Sequence, residues 1–126
     1  MENQSWESRD LGISFSILYG RINVFSNTLK AIGTPPYFRF LFDTEHKQFA
    51  VECCEYESSG SLQLSEETSR DRYELKSMDL VRFVYQTCGW DSKLTYRIKG
   101  TAIPERRMVI FDLTTALKVA EGRLAE

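Results

Sequence analysis

The sequence predicts an α+β protein in which mostly antiparallel strands form a small β barrel or sheet. Apolar and polar side chains alternate through residues 13–19 and 94–99, which is the period-two pattern of half-buried strands. Two predicted helical segments each end in a glycine, Gly33 and Gly89, as helices commonly do. Hydrophobic residues make up 42% of the 126 positions, which suffices for the core of one ordinary domain.

The first half of the domain, residues 11–54, is predicted to contain two strands, a short helix and a hairpin. The strands lie in GISFSILYG and RINVF. The helix SNTLKAIG has Ser26 or Asn27 as its cap, and Pro35-Pro36 prevents its continuation because proline lacks an amide donor. The strands YFRFLFD and FAVECC then pair across the turn TEHKQ.

The second half, residues 73–113, repeats this order of elements. YELKS is a strand, SMDLVRFVYQTCGW is a longer helix capped by Ser77, and KLTYRIKG and MVIFDL form a hairpin across AIPERR. The sequence therefore predicts a single domain, residues 11–113, of two pseudo-repeats (11–54 and 73–113) joined by a polar loop at 55–72. The likeness is one of pattern more than of identity, so it leaves open whether the halves arose by internal duplication.

The two ends of the chain lie outside these repeats. Residues 1–10 are polar and are expected to be disordered. Residues 114–126 are expected to form an amphipathic C-terminal helix, because apolar residues recur at helical spacing along DLTTALKVAEGRLAE. The apolar stripe of this segment is the predicted surface for a protein partner, and it consists of Leu113, Leu117, Ala120 and Leu124.

The net charge and the N-terminal sequence limit the kinds of partner and location that we expect. The formal net charge of −2 gives no general attraction to nucleic acid or to an anionic membrane, but a localised basic patch remains possible. MENQSWESRD lacks the apolar core of a signal peptide, and no apolar run approaches the roughly 20 residues of a membrane span. We therefore expect no membrane partner and a cytoplasmic location.

Cysteine and histidine positions give no catalytic or metal motif. Cys53, Cys54 and Cys88 have neither disulfide-framework nor zinc spacing. The single histidine, His46, lies in a predicted turn, and a catalytic pair would require one of these thiols to approach it. Free cysteines mostly act as small core residues, so no enzyme activity, metal or cofactor is expected.

One segment carries a resemblance to a known family. GRINVFSNTLKAIG begins with Gly-Arg, continues with alternating apolar residues, and ends in a short basic helix with an Ile-Gly pair. This order resembles the signature of AbrB-type swapped-hairpin transcriptional regulators, and the hairpin YFRFLFDTEHKQFAVEC that follows also fits. With two such units, the chain is similar in plan to MraZ-like proteins, which carry a tandem pair. Phe25 stands where the family has proline, and Leu29 stands where it has the first of two helix arginines.

The resemblance implies a fold and a function. Hairpin units too small for a core of their own interleave, either between the two chains of a homodimer or between two repeats of one chain; a homodimer is the expectation here. The implied function is the binding of double-stranded DNA, in transcription regulation or as an antitoxin-like protein. Arg21 would then pair with a phosphate or a guanine edge and Lys30 would contact the DNA backbone as a point charge. Arg39 and Lys47 complete the predicted DNA contacts.

Two alternatives stay open. The acidic balance favours a protein-interaction module of the same fold without DNA affinity, which would dock through the C-terminal stripe. The pair Arg106-Arg107, in the turn of the second hairpin, is either a solubilising turn that blunts a strand edge or a nucleic-acid contact.

Overall fold

A computed structural model gives the fold and describes residues 10–64, 72–120 and 123–124. Within these residues there are ten strands, two α-helices and two short 3-10 helices. The α-helices are α1 (Ser26–Ala31) and α2 (Met78–Cys88), and the 3-10 helices are Pro104–Arg106 and Leu113–Thr115. The strands are β1 (Gly12–Ser16), β2 (Arg21–Phe25), β3 (Tyr37–Asp43), β4 (Gln48–Cys54), β5 (Leu62–Gln63), β6 (Arg72–Lys76), β7 (Thr95–Ile103), β8 (Met108–Asp112), β9 (Leu117–Ala120) and β10 (Arg123–Leu124).

The strands form one curled half-barrel sheet. Their order is β5-β3-β4-β8-β7-β1-β2-β6, with β9 beside the first part of β7 and β10 beside β9. Neighbouring strands run antiparallel. The predicted α+β class with mostly antiparallel strands is therefore confirmed.

The inner face of the half-barrel carries the core. Ile13 and Phe15 of β1 and Ile22 and Val24 of β2 are fully buried, because every second residue of a strand points to the same face. The helix α2 adds three buried side chains to this core: Val81, Val84 and Tyr85. Since β6 lies at one edge of the sheet and β3 lies near the other, a ring contact between them draws the two edges together. This contact joins Phe38 and Tyr73, whose ring centroids are 5.0 Å apart.

The start of β1 is completed by a side chain of α1 rather than by a strand. The hydroxyl of Thr28 accepts a hydrogen bond from the Gly12 amide at 2.7 Å and donates one to the Gly12 carbonyl at 2.9 Å. Pairing between β1 and β2 ends at Ile13 with Val24, since the chain turns into α1 directly after β2. The fully buried Thr28 thereby satisfies two backbone groups that a neighbouring strand would otherwise pair.

The two helices lie at opposite ends of the β2-β6 pair. In this antiparallel pair Arg21 is opposite Lys76, and Phe25 is opposite Arg72. Because α1 follows β2 and α2 follows β6, the helices start from opposite ends of the same ribbon. Residues near the start of β2 are therefore close to α2 and distant from α1.

The helix boundaries agree with the predictions better than the caps do. Phe25 occupies the cap position of α1, and neither Phe25 nor Ser77 makes a side-chain capping hydrogen bond. The predicted capping by Ser26 or Asn27 is therefore wrong, because β2 runs directly into the helix. Gly89 does end α2 in the left-handed conformation with φ +66°, as predicted.

The C-terminal segment differs from the predicted helix over residues 114–126. Its described part continues from a 3-10 helix into the strands β9 and β10. In the second hairpin, β8 pairs with the last part of β7, Gly100–Ile103. The edge of the first part of β7, Thr95–Arg97, pairs with β9 instead. The open edge gives backbone hydrogen bonds that an isolated short helix with Gly122 near its end does not provide.

Several predictions fall partly outside the described residues. Of the expected disordered segment, residues 1–9 lie outside, and of the predicted loop at 55–72, residues 65–71 lie outside. The described part of that loop contains the two-residue strand β5, which pairs with β3.

Candidate nucleic-acid interface

Positive side chains gather on the outer face of β6, β2, β1 and β7. In β2, β6 and the first part of β7 the residues that alternate with the core residues are the more exposed ones, whereas all five residues of β1 are buried. Five of these outward residues are basic and together are termed the cationic face: Arg21, Arg72, Lys76, Arg97 and Lys99. The strand register brings them together although they come from three separate segments of the sequence.

The register also fixes their spacing. Arg21 is directly opposite Lys76, and Arg97 is opposite Ser14 on the far side of β1. Since neighbouring strands lie about 4.8 Å apart, β2 and β7 are separated by roughly 10 Å, with only the small serines of β1 between them. Ser14 and Ser16 carry no charge and are buried, so the middle of the face is covered by the side chains of the flanking strands, such as Asn23, which donates to the Ser14 hydroxyl at 3.5 Å.

Two of the three arginines of the face, Arg21 and Arg97, lie against aromatic rings. The guanidinium carbon of Arg21 is 5.2 Å from the ring centroid of Tyr19, and that of Arg97 is 6.0 Å from the ring centroid of Phe25. A guanidinium held over an aromatic face is restrained in orientation while its edge can still donate hydrogen bonds. A guanidinium restrained in this way can donate two parallel hydrogen bonds to phosphate oxygens.

Carboxylates compete for part of this charge. Glu74 Oε2 lies 3.2 Å from Arg21 Nε, and Asp10 Oδ2 lies 3.5 Å from Lys99 Nζ. Both pairs are partly exposed, so each contributes little to stability and can exchange for a phosphate. Counting only residues that the structure describes, the five cations and these two carboxylates give a formal charge of about +3.

The structure brings only one of the four predicted DNA contacts onto this face. Arg21 belongs to it, whereas the exposed Lys30 is on α1, beyond the opposite end of β2. Arg39 lies on β3, where its guanidinium is 2.7 Å from a carboxylate oxygen of Glu52 and its pKa is raised by that hydrogen bond.

The fourth residue, Lys47, is in the hairpin turn before β4 with a backbone φ of +55°. It lines a cleft at the C-terminal end of α2. The predicted residues thus lie at four separate places on the molecule, and they do not form one surface.

Sequence reasoning missed the other four members of the cationic face. The alternation of KLTYRIKG already places Arg97 and Lys99 outward. The alternation does not identify their neighbours, because β7 pairs with β1, which lies about 80 positions earlier in the sequence. Arg72 and Lys76 lie at the two ends of a five-residue strand, which the sequence does not connect to β2.

The histidine and cysteine geometry does not indicate a nucleophile. His46 Nδ1 is 2.9 Å from Asp43 Oδ2, and this hydrogen bond lowers the pKa of Asp43. Burial raises the pKa of the Cys53 and Cys88 thiols, whereas an activated cysteine needs a lowered pKa. In the described part of the chain no three His, Cys, Asp or Glu side chains are grouped closely enough to hold a metal ion.

The described helices include none that is long and apolar enough to cross a membrane. The chain matches no family model, no curated protein and no solved structure. The cationic face is therefore assessed on its own geometry.

Proposed function

We propose that this protein binds double-stranded DNA through the cationic face, as a small regulator or antitoxin-like protein. The observation that carries the proposal is the convergence of five cations from three strands, β2, β6 and β7, on one face of the sheet, two of them arginines that lie over aromatic rings. DNA affinity depends chiefly on phosphate contacts of this kind. The positive charge of the patch outweighs the small net negative charge of the protein only close to the patch. Salt screens the interaction of the DNA with charges more than about 10 Å away.

The size of the face sets the expected affinity. Two of the five cations, Arg21 and Lys99, are each paired with a carboxylate of their own. Depending on whether these two pairs open, between about three and five phosphates can be neutralised. Log affinity then falls with log salt at a slope between about −3 and −4.5. Raising salt from about 50 mM to about 200 mM reduces the affinity by between about 40-fold and about 500-fold.

The proposal includes the two interleaved pseudo-repeats that the sequence pattern predicts. One support is that both hairpins have the same register at an offset of 60 residues. Phe42 pairs with Phe49 and Ala102 with Val109, and adding 60 to the first pair of numbers gives the second. The turns TEHK and PERR are also equal in length and both carry Glu followed by two basic or histidine side chains.

A second support is the pairing between halves. β2 pairs with β6 and β4 pairs with β8, which are the corresponding strands of the two halves. β1 pairs with β7 of the second hairpin, and β5 pairs with β3 of the first. β5 belongs to the loop between the halves, so the support for interleaving comes from the pairing of β1, β2 and β4 of the first half with β7, β6 and β8 of the second.

The interface is tested by duplex binding measured as fluorescence anisotropy over a salt series. Arg97→Gln and Arg21→Gln are expected to weaken binding severalfold and to make the salt slope shallower by about one each. Arg39→Gln is the matched control, because it removes the same charge from β3, outside the cationic face. Lys30→Gln and Lys47→Gln test the remaining sequence predictions and are expected to behave like Arg39→Gln.

Two outcomes would overturn this proposal. A folded protein that does not bind duplex DNA at about 50 mM salt has no such function, since that is where phosphate contacts are strongest. Equal losses in Arg39→Gln and Arg97→Gln would mean that the cationic face is not the interface. Light scattering tests the predicted homodimer separately, because pairing between the halves of one chain can also supply the interleaving.

A further inference from the structure

A second candidate site lies apart from the cationic face, at the C-terminal end of α2. Here a cleft of about 440 Å³ opens between the end of the helix, the hairpin turn before β4 and the segment that joins β8 to β9. This volume falls within the range of about 300–1,000 Å³ that is usual for small-molecule sites. The residues that matter for its chemistry are Lys47, Trp90, Asp91, Tyr96, Thr114 and Lys118.

One wall of the cleft is aromatic and held in place. Trp90 and Tyr96 stack with ring centroids 4.3 Å apart and planes inclined by 14°. The Tyr96 hydroxyl accepts a hydrogen bond from the Asp91 amide at 2.9 Å, and Tyr85 packs edge-on against Trp90 at 5.2 Å. These contacts fix both rings, and the half-buried indole, one face of which is covered by Tyr96, lines the cleft in a preformed position.

Two lysines line the same cleft. Lys47 is held in the turn by its left-handed backbone, and its carbonyl accepts a hydrogen bond from the Leu113 amide at 2.9 Å. Lys118 comes from β9, where it is directly opposite Tyr96 in the strand register. Among the described residues of the lining only Asp91 carries a carboxylate, and this carboxylate already accepts a hydrogen bond from the Lys93 amide. The cleft therefore combines a flat aromatic wall with an excess of positive charge.

The second hairpin carries an arginine at the equivalent position of its turn. There Arg107 stands in the hairpin turn 60 positions after Lys47, also with positive φ. Its guanidinium donates to the Ile32 carbonyl just after α1 at 3.5 Å and pairs with Glu55 at 2.9 Å. Lys47, at the equivalent position of the first hairpin, instead lines the cleft beside the longer helix α2.

From this geometry we infer that the cleft binds a small aromatic carboxylate. The ring of the ligand lies against Trp90 and its carboxylate lies between Lys47 and Lys118. Phosphate fits less well, since it is usually bound by clustered backbone amides, and the Thr114 amide and hydroxyl are both engaged by Asp112. This inference does not depend on DNA binding.

Heteronuclear NMR titration with naphthoate tests the site, with neutral naphthalenemethanol as the probe that lacks the charge. We expect saturable shifts of the Trp90 indole and of the Lys47 and Lys118 amides, while naphthalenemethanol binds at least about fivefold more weakly. Lys47→Met and Lys118→Met should each raise the naphthoate Kd at least about fivefold, equivalent to about 1 kcal/mol. Lys30→Met, an exposed lysine on α1, is the control and should leave the Kd unchanged.

Three results would overturn the inference. The first is a well-dispersed spectrum that naphthoate does not shift up to its solubility limit. The second is equal affinity for the charged and neutral probes. The third is an equal loss of affinity in Lys30→Met and Lys47→Met, because it would show that general charge rather than the cleft attracts the probe.

Discussion

Lys47 and Arg107 occupy corresponding turns, and the backbone carbonyl of each accepts a hydrogen bond from the other half of the chain. The Lys47 carbonyl accepts from the Leu113 amide and the Arg107 carbonyl from the Cys53 amide, both at 2.9 Å. Their φ angles are +55° and +51°, and adding 60 to 47 and 53 gives 107 and 113. The two bonds lengthen the β4-β8 pair at both ends, so each turn is anchored to the partner half rather than only to its own hairpin.

The Thr28 hydroxyl gives a prediction about stability. Thr28→Val keeps the shape of the side chain but leaves the Gly12 amide and carbonyl without this partner in a buried position. We expect the free energy of unfolding to fall by about 2–3 kcal/mol, measured by urea unfolding, because each buried unsatisfied group costs about 1–3 kcal/mol. Thr28→Ser retains the hydroxyl and should lose less than half as much. Equal losses in the two variants would contradict the prediction, because Thr28→Ser removes only the methyl group and the hydroxyl would then not be the larger contribution.

Gly100 gives a prediction about space in the core. A Cβ atom at this position would lie 2.5 Å from Val109 Cγ1 and 2.7 Å from Phe111 Cε1. Gly100→Ala should therefore lower the free energy of unfolding by about 2 kcal/mol, since overpacking forces neighbouring side chains out of their rotamers. The exposed neighbour provides the control, and Thr101→Ala should change stability by less than about 0.5 kcal/mol. A neutral Gly100→Ala variant would show that β7 and β8 can separate without cost.

The Tyr85 hydroxyl predicts how stability depends on pH at the alkaline end. It donates to the Phe15 carbonyl at 3.0 Å and also lies within hydrogen-bonding distance of the Leu94 carbonyl, and burial raises its pKa to about 12 from an ordinary value of 10.0. The unfolded chain therefore loses this proton at lower pH than the folded one. The contribution is complete below pH 10 and is lost as pH rises from 10 towards 12.

Urea unfolding of Tyr85→Phe at several pH values measures this contribution. At pH 8 the variant should be less stable than the wild type, because the two carbonyls lose a donor. The difference should shrink steadily above pH 10. A constant difference across this range would mean that Tyr85 does not titrate with an altered pKa in the folded state.

Local elements were predictable from sequence, whereas their assembly was not. Gly89 marks the end of α2 correctly because a left-handed terminus is a property of a few adjacent residues. The segment around Leu117 was predicted as helix since its apolar spacing fits a helix face, but the open edge of β7 makes it a strand. Over four or five residues the two periods are hard to distinguish, and the tertiary pairing decides between them.

The candidate sites also contain a part that local sequence predicts and a part that depends on the tertiary structure. Arg21 was identified from the Gly-Arg start of β2, which is a local signal. Its neighbours Lys76 and Arg97 come from distant segments, and only the strand order places them beside it. Leu113, predicted to contact a partner, is instead 1% exposed in the core, because the short 3-10 helix that it begins turns it inward.

Removing a competing carboxylate tests the proposed DNA interface in the direction of tighter binding. Glu74 pairs with Arg21 on the cationic face, and Glu52 pairs with Arg39 away from it. Glu74→Gln should raise the affinity for duplex DNA at low salt by up to about fivefold, since an exposed ion pair that holds the arginine is worth at most about 1 kcal/mol. Its salt slope should become steeper by about one, as one more phosphate is neutralised.

Glu52→Gln changes the net charge of the protein by the same amount, so it separates a local from a general electrostatic effect. It should raise the affinity less than Glu74→Gln does and leave the salt slope near that of the wild type, because Arg39 lies outside the interface. The two variants are compared in the same anisotropy titrations. If both tighten binding equally, the DNA responds to the overall charge of the protein, and Arg21 has no special contact with the phosphate backbone.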